Sequence, residues 1–292
     1  LRRRQRQMCI RDRNDTEYLS LSEALIQEYE GDPFVHTTIA PHAPYTVNDA
    51  ALKRCAEISD KYGVPIHMHV NETAVEVSDS LRDHHERPID RLERLGLLNE
   101  RLIAVHSVHA SDEDITKMAA AHASVCHCPC SNLKLASGLA PIAKFLKAGI
   151  NLGIGTDGAA SNDKLDMLGE TRLAAMLAKA VAQDPTAAPV FAMLEAATLG
   201  GARALRWDAD IGSLEIGKAA DLFAIDLGTP ESLPVADPAA QILYSAGREC
   251  ITHTWVDGRP IMEKHARAAY PQTDALAAAA LCAQKWQSRL KN

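Results

Sequence analysis

The strongest constraint on this chain is an alternation: short apolar runs of strand length, separated by longer stretches whose apolar residues recur at helical spacing. Five runs stand out, at 35–40, 65–70, 102–106, 123–128 and 150–155. Polar residues able to do chemistry come directly after each of them. The segments between, such as 48–62 and 111–121, have helical periodicity and close with Gly63 or a small residue. Strand, polar loop and helix in that order predict βα units around a parallel sheet. Two more helices are expected over 167–183 and 190–205, the second ending in Gly200-Gly201-Ala202-Arg203, where small residues permit close packing.

Beyond residue 208 the character changes. Segments 211–226 and 251–261 read as turns and short strands, with a hairpin at Asp257-Gly258, and the alanine-rich tail from Thr273 reads as one terminal helix. The expected organisation is a barrel segment at 14–208, a small β-domain segment at 209–264 and a helix within 265–292. With 292 residues, 47% of them hydrophobic, the chain can bury a large core, and an α/β barrel of roughly 250 residues fits its length.

Charge and thiols narrow the partners. The formal net charge is -7 and no basic stripe interleaved with aromatics crosses the body, so neither nucleic acid nor an anionic membrane surface is an expected partner. No run approaches the roughly 18–20 apolar residues of a membrane span, and no signal-like segment opens the chain. A cytoplasmic protein with a small-molecule substrate is expected, and a homo-oligomer is compatible with the sequence. Seven cysteines make an odd count, and Cys126, Cys128 and Cys130 crowd one strand-like segment where mutual disulfides are awkward, so reduced thiols are expected. A zinc knot at Cys126-His127-Cys128-Pro129-Cys130 would need a second ligand pair that the sequence lacks. Residues 1–13 hold six arginines against one aspartate, out of character with the acidic chain from residue 14 onward. A disordered or foreign extension is the favoured reading, a nucleic-acid arm the alternative.

The densest chemical signal is His67-Met68-His69-Val70-Asn71-Glu72, a strand end with an imidazole and a carboxylate three residues later. Imidazole nitrogen binds zinc, and a nearby carboxylate that is not a ligand can shuttle protons; two ordinary strand histidines are the competing explanation. Gly153-Ile154-Gly155-Thr156-Asp157-Gly158 puts Asp157 after an apolar strand, where it is a ligand and base or merely a helix cap. His106-Ser107-Val108-His109 offers His109 just past its strand, either to polarise a leaving group or to cap a loop.

These pieces occur in order, and with them stand Ala40-Pro41-His42-Ala43-Pro44-Tyr45-Thr46, Ser131-Asn132-Leu133-Lys134-Leu135-Ala136-Ser137-Gly138, Gly155-Thr156-Asp157-Gly158-Ala159-Ala160-Ser161-Asn162 and Gly217-Lys218-Ala219-Ala220-Asp221-Leu222. The chain thereby resembles the amidohydrolase superfamily, in particular its 5-methylthioadenosine/S-adenosylhomocysteine deaminases and triazine-type chlorohydrolases, from about residue 14 to 262. The resemblance implies an α/β fold: about the last five units of a (β/α)8 TIM barrel beside a remnant of a small β-sandwich. It also implies one divalent metal, usually zinc in this family, with His69 and Asp157 as ligands. It further implies Glu72 as the acid/base, His109 as the histidine beside the hydroxide and His42 as a substrate contact, with Glu72 and Asp157 also touching substrate. His67 matches no ligand. The family takes two more ligands from a His-x-His on its first barrel strand, and none precedes residue 35.

The reaction so implied is hydrolytic deamination of a purine nucleoside, an adenosine thioether giving the inosine analogue and ammonia. Another aminated or chlorinated heterocycle, such as guanine or a triazine, is the second reading, because ring selectivity resides in loops. An inactive fragment or interaction protein is the third.

Overall fold

In the computed structural model the described residues are 15–230 and 232–263, with 266–267 and the single positions 277, 280, 281 and 284. The arginine-rich stretch lies outside them. So does nearly all of the expected terminal helix, although its four described positions are helical. The chain divides into two compact units, Leu1–Gly212 and Ser213–Asn292.

The first unit is built on four parallel strands, β1 (Ile66–Val70), β2 (Leu102–His106), β3 (Ser124–His127) and β4 (Asn151–Ile154), paired in that order. Alternation along β1 explains how the sheet divides its faces. Ile66, Met68 and Val70 are fully buried, whereas His67 and His69 point to the other face and are only half-buried. Helices before and between the strands supply Leu52, Ile58, Leu92, Met118 and Phe145 to the core. Each such side chain taken from water contributes about 1.5–3 kcal/mol. Helix Asp49–Tyr62 shows why boundaries fall where they do: Asn48 accepts from the Ala51 N–H at its start, and Gly63, at φ 67°, ends it in the left-handed conformation.

Two expectations are corrected. Segment 35–40 is not a strand but touches the sheet through one parallel bridge, Ile39 to Ile66. It does run beside β1, since Ile39 donates to Pro65 and His67 donates back to Ile39. Prolines at 33, 41 and 44 remove the donors that a longer ladder needs. Segment 190–205 is not one helix but two, Val190–Ala196 and Leu199–Ala204, broken at Thr198 (φ -128°, ψ -95°). The break lets Gly200 and Gly201 lie against β4, so close that a Cβ on Gly200 would collide with the Leu152 carbonyl.

The second unit carries an antiparallel sheet of β5 (Leu222–Ile225), β6 (Ile251–Val256), β7 (Arg259–Glu263) and β8 (Ala266–Arg267), in that order. Asp257 and Gly258, both at positive φ (51° and 69°), form the β6–β7 hairpin turn. Among the described residues no helix is long and apolar enough to cross a membrane.

Candidate active site

The carboxyl ends of β1, β2 and β4, with the short helix Pro129–Lys134 that comes after β3, bring the chemistry together. Strand ends are where parallel sheets present ligand-binding groups. Here the backbone does so by turning into left-handed φ at non-glycine residues: Asn71 (53°), His106 (70°), Ser107 (47°) and Asp157 (59°). Such conformations are uncommon and persist where the surroundings enforce them.

The surroundings can be named. Glu76, buried, accepts from the Asn71 N–H (2.8 Å) and the Glu72 N–H (2.7 Å), fixing the turn that carries Glu72. Burial pushes its carboxyl up, and those same backbone donors pull against it. Asn71 is tied to the next turn as well, because its carbonyl accepts from His109 N and its side chain reaches Asp114. Asp114 is itself gripped by Arg87, which also donates to the His109 carbonyl.

On this frame four side chains face one another. The His42 carbonyl accepts from both the backbone N–H of His69 (3.1 Å) and its ring Nδ1 (2.6 Å). A carbonyl only accepts, so Nδ1 carries a proton, and the neutral tautomer of the ring has its lone pair on Nε2. The rings of His42 and His69 are 4.9 Å apart, and those of His69 and His106 5.3 Å. His106 Nδ1 is 2.7 Å from Asn132 Oδ1, and its Nε2 lies 3.9 Å from a Glu72 oxygen. The other Glu72 oxygen accepts from Ser137 at 3.1 Å. Burial lowers the His106 imidazole from its ordinary value against the raising effect of Glu72, favouring the neutral ring.

Asp157 closes the rim. One of its oxygens accepts from Ser131 (2.6 Å) and Ser161 (2.7 Å), the other from the Gly158 N–H (2.7 Å). Burial alone would raise this carboxyl. The three donors outweigh it and hold the group below its ordinary value, ionised at neutral pH.

Among the residues selected from sequence, His42, His69 and Glu72 cluster directly, and Asp157 interacts electrostatically with the same His106. His109 stands one step back, its Nε2 2.7 Å from the Ser137 carbonyl. The histidine facing Glu72 is His106, which the sequence pattern does not single out. Its only signal is its place as the last residue of an apolar run, where strand alternation does not reveal the left-handed turn that redirects it.

A divalent metal finds part of a shell here. His69, with its Nδ1 on the His42 carbonyl and Nε2 left over, and the ionised Asp157 are zinc donors of suitable type. Among the described residues no group of three or more His, Cys, Asp or Glu side chains is placed to hold an ion.

The amidohydrolase family pattern matches residues 5–261. The chain belongs to the amidohydrolase family. Among amidohydrolases, the 5-methylthioadenosine/S-adenosylhomocysteine deaminase of Syntrophobacter fumaroxidans is 40% identical over 245 residues, 84% of this chain and 56% of that protein. The enzyme of the same name from Moorella thermoacetica is 42% identical over 82% of this chain and 57% of its own length. The chain thus spans little more than half the length of these curated relatives. A zinc-bound adenosine deaminase from Xanthomonas campestris superposes with a TM-score of 0.91 at 45% identity, over 95% of this chain and 62% of that one. The zinc complex of atrazine chlorohydrolase from Arthrobacter aurescens gives 0.87 at 27%, over 92% and 60%.

Proposed function

We propose that this amidohydrolase chain supplies the acid/base side of a hydrolytic deaminase site for adenosine thioethers, releasing ammonia and the inosine analogue. The observation that carries the reading is the sharing of Glu72 between Ser137 and His106, within a rim that also holds His69 and Asp157. A carboxylate with one oxygen on a hydroxyl and the other near an imidazole is set to pass a proton between a ring nitrogen and a leaving amine. Relatives named 5-methylthioadenosine/S-adenosylhomocysteine deaminase support the substrate class over triazines, whose enzyme is less similar in sequence.

His69, through Nε2, and Asp157 would hold one zinc ion, which when bound lowers the pKa of water towards about 7. The chain's own residues account for the rest. Ionised Asp157 accepts a proton from the attacking water. Glu72 takes one proton of that water to the purine ring nitrogen as the six-position is attacked, and then passes the second, received by way of Asp157, to the departing amine, so both carboxylates end ionised. Neutral His106, its Nδ1–H directed at Asn132, presents Nε2 to the same atoms; this is the role that the sequence resemblance gives to His109. His109 holds Ser137, and so Glu72, in position. His42 lies beside His69 to meet the substrate. The reduced thiols and acidic charge suit a cytoplasmic enzyme acting on a small nucleoside.

The test is ammonia release by the protein expressed in its full natural reading frame, with zinc, from 5-methylthioadenosine, S-adenosylhomocysteine, guanine and an aminotriazine. Faster turnover of the thioethers is expected, with Glu72→Gln losing at least about a hundredfold in kcat while still binding zinc. Faster turnover of guanine or the triazine would overturn the substrate reading, and an active Glu72→Gln the mechanism.

A further inference from the structure

Strand β3 ends in a pair of thiols that deamination does not use. Cys126 and Cys128 are two residues apart, a spacing that in a regular strand shares a face but leaves side chains well separated. Here the strand stops at His127, and Cys128 takes φ -121°, ψ 73° ahead of Pro129. Both sulfurs then converge on one point: a Cβ built on Gly155 would lie 2.8 Å from Cys126 Sγ and 3.1 Å from Cys128 Sγ. Any side chain at 155 would displace them. The two thiols are therefore neighbours beside Gly155. Cys126 is partly exposed, whereas Cys128 is buried.

We propose that Cys126 is a hydroperoxide-sensitive thiol and that Cys128 resolves its oxidised form as a disulfide. The Cys126 thiolate attacks the nearer peroxide oxygen; an S–O bond forms, the O–O bond breaks, and the alcohol or water fragment leaves with the proton that Cys126 had given up. The Cys128 sulfur then attacks the sulfenic acid. An S–S bond forms, the S–O bond breaks, and the hydroxide leaves as water with the Cys128 proton. Two thiols lose two electrons in all, and the peroxide gains them.

The surroundings favour this division of labour. The Cys128 S–H, opposed by burial and assisted by His67, draws Cys126 below the ordinary thiol range, while Cys128 keeps the shared proton and is pushed up. Asp157 and Glu170 add to the raising of Cys128. Two other thiols, Cys55 and Cys130, are disfavoured, since burial pushes both up to about 12. A thiol that reacts with peroxide needs thiolate character, access and a neighbouring resolving thiol. Cys126 has all three. None of this chemistry depends on the deaminase reading.

The experiment is peptide mapping of the reduced wild-type chain after brief hydrogen peroxide treatment, with alkylation as quench. Trypsin releases residues 118–134 as one peptide containing Cys126, Cys128 and Cys130. Its mass should fall by two hydrogens, with fragment ions placing the bridge between 126 and 128, at least about tenfold faster than any oxidation of Cys55. In Cys128→Ser, dimedone should trap a sulfenic acid at Cys126. A bridge to Cys130, equal reactivity of Cys55, or no mass loss would overturn the proposal. The wild-type map decides the matter even if the serine variant fails to fold.

Discussion

His127 sets a pH limit on this fold. The ring is 2% exposed at the end of β3, and neither nitrogen has a hydrogen-bond partner among the described residues. Burial, reinforced by His106, pushes its pKa down to about 3, from an ordinary value of 6.5. The unfolded chain therefore binds a proton that the folded chain refuses between those values. Stability is unaffected above pH 6.5, is lost progressively as pH falls from there, and levels off below about 3. At pH 5 the unfolded imidazole lies about 1.5 units on the protonated side, which at 1.36 kcal/mol per unit is a loss of about 2 kcal/mol. His127→Leu removes the titration and the unpaired nitrogens together, and such an apolar replacement of a buried polar group is close to neutral or stabilising. Urea denaturation of both proteins at pH 8 and pH 5 is the assay. Between these pH values the wild type should lose about 2 kcal/mol more than the variant. Parallel losses would refute the reasoning, since they would mean that His127 is protonated in the folded state or reaches a partner.

Packing and the turn network give three further expected outcomes. Asp114→Asn leaves the Arg87 guanidinium without its buried carboxylate and should cost about 3 kcal/mol in a urea titration. Glu76→Ala strands the Asn71 and Glu72 N–H groups and should cost about 2–4 kcal/mol by the same measure. Gly200→Ala drives a methyl into the Leu152 carbonyl and should lower the melting temperature by more than about 5 °C, or abolish soluble expression.

The sheet is legible in the sequence where local chemistry decides local structure. The run 102–106 coincides with β2, and Asn48 and Gly63 bound their helix because a side-chain acceptor and a left-handed residue act within one turn of chain. His69 and Glu72 are legible for the same reason, three residues apart on a strand end. The features that escape depend on neighbours far along the chain. Thr198 breaks a helix because Gly200 must approach Leu152, nearly fifty residues earlier. Cys126 and Cys128 look too constrained to meet until the backbone at Cys128 leaves the strand. His106 looks like a core residue, because nothing local announces that it and Ser107 adopt positive φ under restraint from the Asn71 turn, whose Val70 carbonyl accepts from Ser107 N.

The clamp that Glu76 places on residues 71 and 72 has a mechanical consequence. With its main chain pinned, Glu72 behaves as a short arm on a stationary pivot: only side-chain torsions are left to carry the carboxylate between the Ser137 hydroxyl and His106. Under the proposed function, a proton delivered by such an arm would travel by bond rotation, without waiting for a loop to move.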